Sequence, residues 1–145
     1  MIRQLCAGFV IVLIASTLAH AGMVSVARSK VNMREGPGRK YTVLWELAQG
    51  YPLQIIERKG DWLKVKDFEN DSGWVLGKLV NKKPHVVVKK ERINIRSGPG
   101  VTHKIVGKAV YGQVMHTLTH GQGWVRVKNE SGLAGWVRKD LVWGW

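Results

Sequence analysis

The sequence contains a single cysteine, Cys6, and it lies within the first 21 residues. From residue 22 onward the chain therefore has no thiol nucleophile and cannot form an internal disulfide. It also lacks the phosphate-binding pattern G-x-x-x-x-G-K, and its serines have no acid and base partners at an informative spacing. We therefore predict that the protein is not an enzyme and has no catalytic residues.

Two histidines and one acidic loop come nearest to a metal-binding pattern. His116 and His120 are four positions apart, but in a strand that separation corresponds to about 13 Å. Residues 67–73 faintly match a calcium-binding loop, yet Gly73 comes one place late and the twelfth position is Lys78 rather than glutamate. We interpret both as parts of hairpin turns, and we predict no metal and no other cofactor.

The first 21 residues have the three regions of a cleaved export signal. Arg3 supplies the positive charge, residues 5–18 form an apolar run, and Ala19-His20-Ala21 is a small-x-small cleavage site. The apolar run is shorter than the roughly 20 residues that span a membrane. We therefore expect a periplasmic or secreted mature chain that begins at Gly22 and has no transmembrane span.

The remaining chain consists of two consecutive copies of one sequence segment. N-x-R-x-G-P-G occurs at residues 32–38 and again at 94–100, an offset of 62 residues (94 − 32) that continues without a gap. The repeated positions that we interpret as structural are Asn32, Arg34, Gly36, Pro37, Trp62 and Trp74 in the first copy, and Asn94, Arg96, Gly98, Pro99, Trp124 and Trp136 in the second.

Each copy has the alternation of half-buried β-strands. Val24 and Val26, and then Val31 and Met33, are apolar at every second position. Gly-Pro-Gly then ends the strand and predicts a long turn. The side chains that precede this turn can stabilise it: an amide such as Asn32 can bond the backbone groups of the turn, and an arginine such as Arg34 can bond its carbonyls.

Taken in order, N-x-R-x-G-P, a glycine turn, G-x-W-x-x-V and a late G-W-V resemble the bacterial SH3 (SH3b) domain family, twice over. The resemblance implies an all-β chain with two tandem SH3-like small β-barrels of about five strands each. The expected division is a signal peptide at 1–21, one domain at 22–81, a linker at 82–84 and a second domain at 85–145. Members of this family are often exported and often bind peptidoglycan.

Aromatic residues that occur in only one copy are the first candidates for ligand contact. Trp45 corresponds to Gly107, and the repeat does not need an aromatic side chain there. The alternative is that Trp45 fills a gap in one barrel. The candidate aromatic residues are Tyr41, Trp45 and Tyr51.

Positive charge is the other functional signal, with 23 Lys and Arg against 10 Asp and Glu and a net charge of +13. The candidate ligand-binding cations, in or near the linker between the two copies, are Lys82, Lys83, Lys89 and Lys90. An exported chain meets few nucleic acids, so we expect no nucleic-acid partner and favour an anionic cell-envelope polymer such as peptidoglycan. The alternative is a periplasmic protein–protein adaptor or regulator that binds a partner peptide. A continuous basic groove would favour the polymer, and a dry aromatic patch would favour a protein.

Overall fold

The computed structural model describes residues 22–145 of the chain. The predicted signal peptide at 1–21, with Cys6, lies outside the described residues. The described part contains fourteen β-strands and two one-turn 3₁₀ helices, Gly77–Leu79 and Lys139–Leu141. The strands of the first copy, which we call barrel one, are β1 (Met23–Val26), β2 (Lys30–Arg34), β3 (Val43–Ala48), β4 (Pro52–Lys59), β5 (Trp62–Lys66), β6 (Ser72–Leu76) and β7 (Val80–Asn81). The strands of the second copy, barrel two, are β8 (His85–Val88), β9 (Arg92–Arg96), β10 (Ile105–Val110), β11 (Val114–His120), β12 (Trp124–Lys128), β13 (Ala134–Arg138) and β14 (Val142–Gly144).

The two copies form two separate sheets with the same order. In barrel one the order is β3-β2-β6-β5-β4-β1-β7, and in barrel two it is β10-β9-β13-β12-β11-β8-β14. The predicted all-β fold of two tandem SH3-like domains is confirmed. About five strands were expected in each sheet, and the structure has seven short ones. The number is higher because β1 and β7 also pair with each other, through Val26 and Val80.

Alternating side chains build each core, as the sequence pattern predicts. In β5 the side chains of Leu63 and Val65 are buried, whereas Trp62, Lys64 and Lys66 lie on the outer face. The core of barrel one also takes Val24, Val26, Val31, Met33, Leu47, Leu53 and Val75. Barrel two repeats this core with Val86, Val88, Ile93, Ile95, Ala109, Met115, Val125, Val127, Val137 and Val142.

The longest strand, β4, serves two neighbours because it bends. Its first half pairs with β1 and its second half with β5, and the register shifts between Ile55 and Glu57. Such a bulge increases the local twist of a strand. A tight turn at residues 59–61 follows, with Gly60 at a φ of 57°. This hairpin forms one wall of the groove described below.

The barrels meet through residues that neither core uses. Met23 on β1 and Val87 on β8 are both buried without belonging to either core. The hydroxyl of Ser25 donates to the carbonyl of Lys83 at 2.7 Å and lies 3.0 Å from Nδ1 of His85. We call this set of contacts the joint.

Three copy-specific aromatic residues extend the joint. Phe68 lies 6.3 Å from Tyr51 of barrel one and 5.3 Å from Tyr111 of barrel two, measured between ring centroids. At the other end of the joint, β14 pairs with β8, and its Cα atoms also come within 8 Å of β4. The residues after Leu141 therefore add to barrel two and also touch barrel one.

No helix in residues 22–145 is long and apolar enough to cross a membrane.

Candidate functional site

Barrel one carries a groove of about 830 Å³ beside the indole of Trp62. One wall is the β4–β5 hairpin, and the other is the segment from the end of β6 through the 3₁₀ turn to β7. The charged residues that line the groove are Arg39, Arg58, Lys78, Lys82 and Asp61. Four cations and one carboxylate therefore surround one aromatic ring.

The sequence produces this arrangement through strand alternation and one glycine. Trp62 is half-buried on the outer face because its neighbour Leu63 points into the core. The backbone N–H of Gly77 donates to the carbonyl of Asp61 at 2.8 Å, which ties the 3₁₀ turn to the hairpin. A Cβ at Gly77 would come within 3.1 Å of that carbonyl oxygen, so the close approach favours glycine.

A smaller cavity of about 250 Å³ continues the groove toward β2. It shares Arg39 and Trp62 with the larger one and adds Asn32 and Arg34. Nη1 of Arg34 donates to the carbonyls of Arg39 and Tyr41, each at 3.0 Å. The predicted role of this arginine as a brace of the turn is confirmed, and the brace also fixes the backbone that carries Arg39.

In barrel two the corresponding groove is different. Trp124 lines a cavity of about 510 Å³ together with Gly123, Arg138, Lys139 and Asp140. Arg138 and Asp140 form a two-pronged ion pair, with Nε–Oδ1 at 2.7 Å and Nη2–Oδ2 at 2.8 Å. Hydrogen bonding within this pair raises the pKa of Arg138 and lowers the pKa of Asp140. Two of the three charged side chains beside Trp124 are therefore paired with each other, and Lys139 is the third.

Tyr41, one of the predicted ligand residues, packs under its own turn. A Cβ at Gly36 would lie 2.5 Å from the Tyr41 ring, and Nζ of Lys40 lies over the ring at 5.5 Å from its centroid. His103 occupies the same place under Gly98 in barrel two, also at 2.5 Å. The ring of Tyr41 thus has a structural counterpart, and 37% of the residue remains exposed.

Trp45 lies on the edge strand β3 and is 54% exposed. Val43 and Leu44 beside it are also exposed, so this edge is apolar. In barrel two the matching Gly107 faces Leu133, whose Cδ2 would lie 2.4 Å from an added Cβ. The outer face of β3 is therefore a second candidate surface, separate from the residues that line the groove.

Tyr51 belongs to the joint rather than to the groove. Its hydroxyl donates to Oδ2 of Asp67 at 3.4 Å, and burial together with the charge of Asp67 raises the pKa of Tyr51. Burial also raises the pKa of Asp67, although the backbone N–H groups of Glu69 and Asp71 bond its Oδ1 and act in the opposite direction. Residues 67–71 form the predicted hairpin turn between β5 and β6.

The four predicted lysines do not form one cluster. Lys82 lines the end of the groove, where its Nζ donates to the carbonyl of Met23 at 3.1 Å. Lys83 contributes its carbonyl to the joint, and its side chain is exposed. Lys89 and Lys90 are exposed between β8 and β9 of barrel two.

Sequence reasoning missed most of the groove. It assigned Trp62 to the barrel and did not include Arg39, Arg58 or Lys78 among the candidate ligand-binding residues. The available signal was the shared face of Trp62 and Lys64, opposite the core residues Leu63 and Val65. The loop cation Arg39 gave no periodic signal, because its position depends on the path of the turn.

The described residues contain no group of three or more His, Cys, Asp or Glu placed to hold a metal ion. The rings of His85 and His116 lie close together, with centroids 5.1 Å apart. Both rings belong to the joint region, on β8 and β11.

Several proteins of known sequence or structure are similar to this chain. It is 27% identical over 139 residues to a putative N-acetylmuramoyl-L-alanine amidase, YrvJ, of Bacillus subtilis, covering 88% of this chain and 27% of the relative. It is 30% identical over 57 residues to a probable cell wall amidase, LytH, of Staphylococcus epidermidis, covering 39% of this chain and 19% of that one. The chain thus spans about a quarter or less of the length of these relatives.

Among solved structures, an NlpC/P60 family protein from Bacillus cereus matches with a TM-score of 0.40 and 16% identity, over 85% of this chain and 56% of the other. NlpC1 from Trichomonas vaginalis matches with a TM-score of 0.39 and 16% identity, over 92% and 50%. Sequence models described as bacterial SH3 domain match residues 27–82 and again 91–142. The chain therefore belongs to the bacterial SH3 domain family and carries two of these domains in tandem.

Proposed function

We propose that this protein is an exported, non-enzymatic binding module that engages peptidoglycan or another anionic polymer of the cell envelope. Two findings support the class of ligand: the tandem bacterial SH3 domains, and relatives that are named as cell wall amidases. The predicted signal peptide supports a periplasmic or secreted location. The match to a quarter of an amidase supports a role in binding rather than in hydrolysis.

The observation that carries this proposal is the basic groove beside Trp62. Its four cations, Arg39, Arg58, Lys78 and Lys82, lie along one continuous depression rather than around a dry aromatic patch. Positive side chains attract an anionic polymer over long distances, and an aromatic ring offers a flat apolar surface for packing. The net charge of +13 acts in the same direction.

The test measures sedimentation of the mature chain with purified wall sacculi at salt concentrations from about 0.05 to 1 M. Exposed charges are screened over about 10 Å at 0.1 M salt, so retention should fall steeply as salt rises. Charge reversal at Lys82, Lys83, Lys89 and Lys90 should weaken binding further without unfolding either barrel. Trp45→Ala and Tyr41→Ala should weaken it less.

A second candidate function is the periplasmic adaptor that binds a partner peptide, and one observation favours it. The edge strand β3 exposes Val43, Leu44 and Trp45 together, and an open edge can accept an added strand. An adaptor predicts the opposite pattern, with weak salt dependence and a large loss on Trp45→Ala. Salt-independent retention on sacculi, with normal binding of the lysine variant, would contradict the electrostatic proposal.

A further inference from the structure

The groove cations are specific to barrel one. With the 62-residue offset, the counterparts of Arg39, Arg58, Lys78 and Lys82 are Val101, His120, Asp140 and Gly144. The tryptophan itself is retained, as Trp62 and Trp124. The duplication has therefore kept the aromatic ring in both copies, whereas none of the four groove cations has a lysine or arginine at its counterpart position. The cations beside Trp124, Arg138 and Lys139, stand at other positions of the repeat.

Within residues 22–145 none of the four groove cations forms an ion pair, and Lys82 donates only to the carbonyl of Met23. Across residues 22–145 the ion pairs are Lys30–Glu46 at 3.4 Å and Arg138–Asp140 at 2.7 Å. The side chains of Arg39, Arg58 and Lys78 are exposed and belong to neither pair. In barrel two, by contrast, Arg138 is already bound to Asp140 beside Trp124.

The remaining lining limits the chemistry of the ligand. Ile55, Leu76 and Val80 add apolar surface to that of Trp62, which suits a ligand with methyl or methylene groups. Arginine presents a planar fork that matches a carboxylate. Asp61 is an anion among the cations; it repels a phosphate chain but attracts an ammonium group.

From these observations we infer that barrel one, and not barrel two, holds the ligand, and that the ligand is a short peptide segment with at least two carboxylates and one free amino group. This inference rests on the proposed function, because it names which part of an envelope polymer the module recognises. It also assigns barrel two a different task, which is to support barrel one through the joint.

The test transfers barrel-two residues into the groove. The variant Arg39→Val, Arg58→His, Lys78→Asp places the counterpart residues in barrel one. Its matched control, Lys104→Val, Arg126→His, Lys128→Asp, makes the same charge change at exposed positions of barrel two. Amide dispersion in NMR spectra checks that both proteins fold, and Lys78→Asp alone serves as a milder groove variant.

The probe is an N-acetylated Ala-Glu-Lys-Ala peptide, which carries two carboxylates and one amine. We expect it to shift the NMR signal of the Trp62 indole N–H, assigned with Trp62→Phe, and to leave that of Trp124 unchanged. The groove triple should weaken binding by about tenfold or more, and the control by less than about threefold. Amidation of the peptide C-terminus, or norleucine in place of lysine, should each weaken binding as well.

Several results would overturn the inference: no shift at Trp62, equal shifts at both tryptophans, equal losses in the two triples, or tighter binding of polyglycerol phosphate than of the peptide. Sacculus sedimentation separates these failures from failure of the proposed function. If the groove triple sediments like the unchanged protein and retention still falls with salt, the inference fails and the proposed function stands. If the unchanged protein does not sediment at all, the proposed function fails.

Discussion

At the scale of single residues, the repeated arginine bonds the carbonyls of the following turn, and in the first copy the ring of Tyr41 packs against that turn. Arg34 and Arg96 each bond two carbonyls of the following turn, at 3.0 Å. Carbonyl bonding by an arginine follows from its five donors and could be predicted. The packing of Tyr41 against Gly36 could not, because it depends on how the turn folds back over β2.

Substitution of Arg34 tests the brace. Arg34→Met removes the donors to the carbonyls of Arg39 and Tyr41, and we expect the free energy of unfolding to fall by about 1.5–3 kcal/mol, the range for hydrogen bonds to a charged group. Urea denaturation measures this change. Lys128→Met removes an exposed cation of barrel two and should alter stability by no more than about 0.5 kcal/mol. Equal stability of the two variants would show that the brace contributes nothing.

At the scale of elements, the strands and the turns differ in how far sequence determines them. Alternation gave the correct inward and outward faces of β5, since Leu63 and Val65 are buried and Trp62 is not. It could not show that the outer face of Trp62 lies against a groove, because the opposite wall comes from Leu76 and Lys78, more than ten residues later. Equivalent turns of the two copies can also have different surroundings, which the repeat does not show. Gly50 and Gly112 occupy the same turn, but only Gly50 lies in close contact with side chains of the other barrel.

The pair Gly50 and Gly112 provides a matched test of that turn. Both have a positive φ, 84° and 79°, so alanine strains both equally. A Cβ at Gly50 would lie 2.9 Å from Cδ2 of His85, whereas nothing lies within 4 Å of a Cβ at Gly112. We expect Gly50→Ala to cost about 1–3 kcal/mol more than Gly112→Ala, because the His85 ring is held by hydrogen bonds and cannot move freely. Urea denaturation compares them, and equal costs would mean that the barrels do not pack at this turn.

At the scale of the whole molecule, the duplication and the short linker were evident from sequence, but the joint was not. Its aromatic contacts use Phe68 and Tyr111, whose counterparts are Glu130 and Gln49. Positions that the copies do not share carry no structural signal in the repeat, and Tyr51 is a ligand candidate on the same ground. The division at 22–81 and 85–145 stays a prediction, and because of the contacts of the joint we expect the stability of one barrel to depend on the other.

The joint also predicts how stability depends on pH. Burial lowers the pKa of His85 from its ordinary value of 6.5, and the nearby His116 and the Lys83 side chain act in the same direction, against the Lys83 carbonyl. The folded protein therefore favours neutral His85, while the unfolded chain takes up a proton near pH 6.5. As pH falls through 6.5 toward the folded pKa, the free energy of unfolding should decrease, and below both pKa values the loss is complete.

Thermal unfolding between about pH 7.5 and pH 5 measures this loss, with His85→Gln as the matched variant. Glutamine can still bond the Ser25 hydroxyl and the Lys83 carbonyl but cannot gain a proton, so its melting temperature should fall less on acidification. The raised pKa of Asp67 acts in the opposite direction, since its protonation stabilises the folded state as pH falls. That contribution is common to both proteins and cancels in the comparison. If the melting temperatures of the two proteins fall by the same amount over this range, protonation of His85 does not cause the pH dependence of stability.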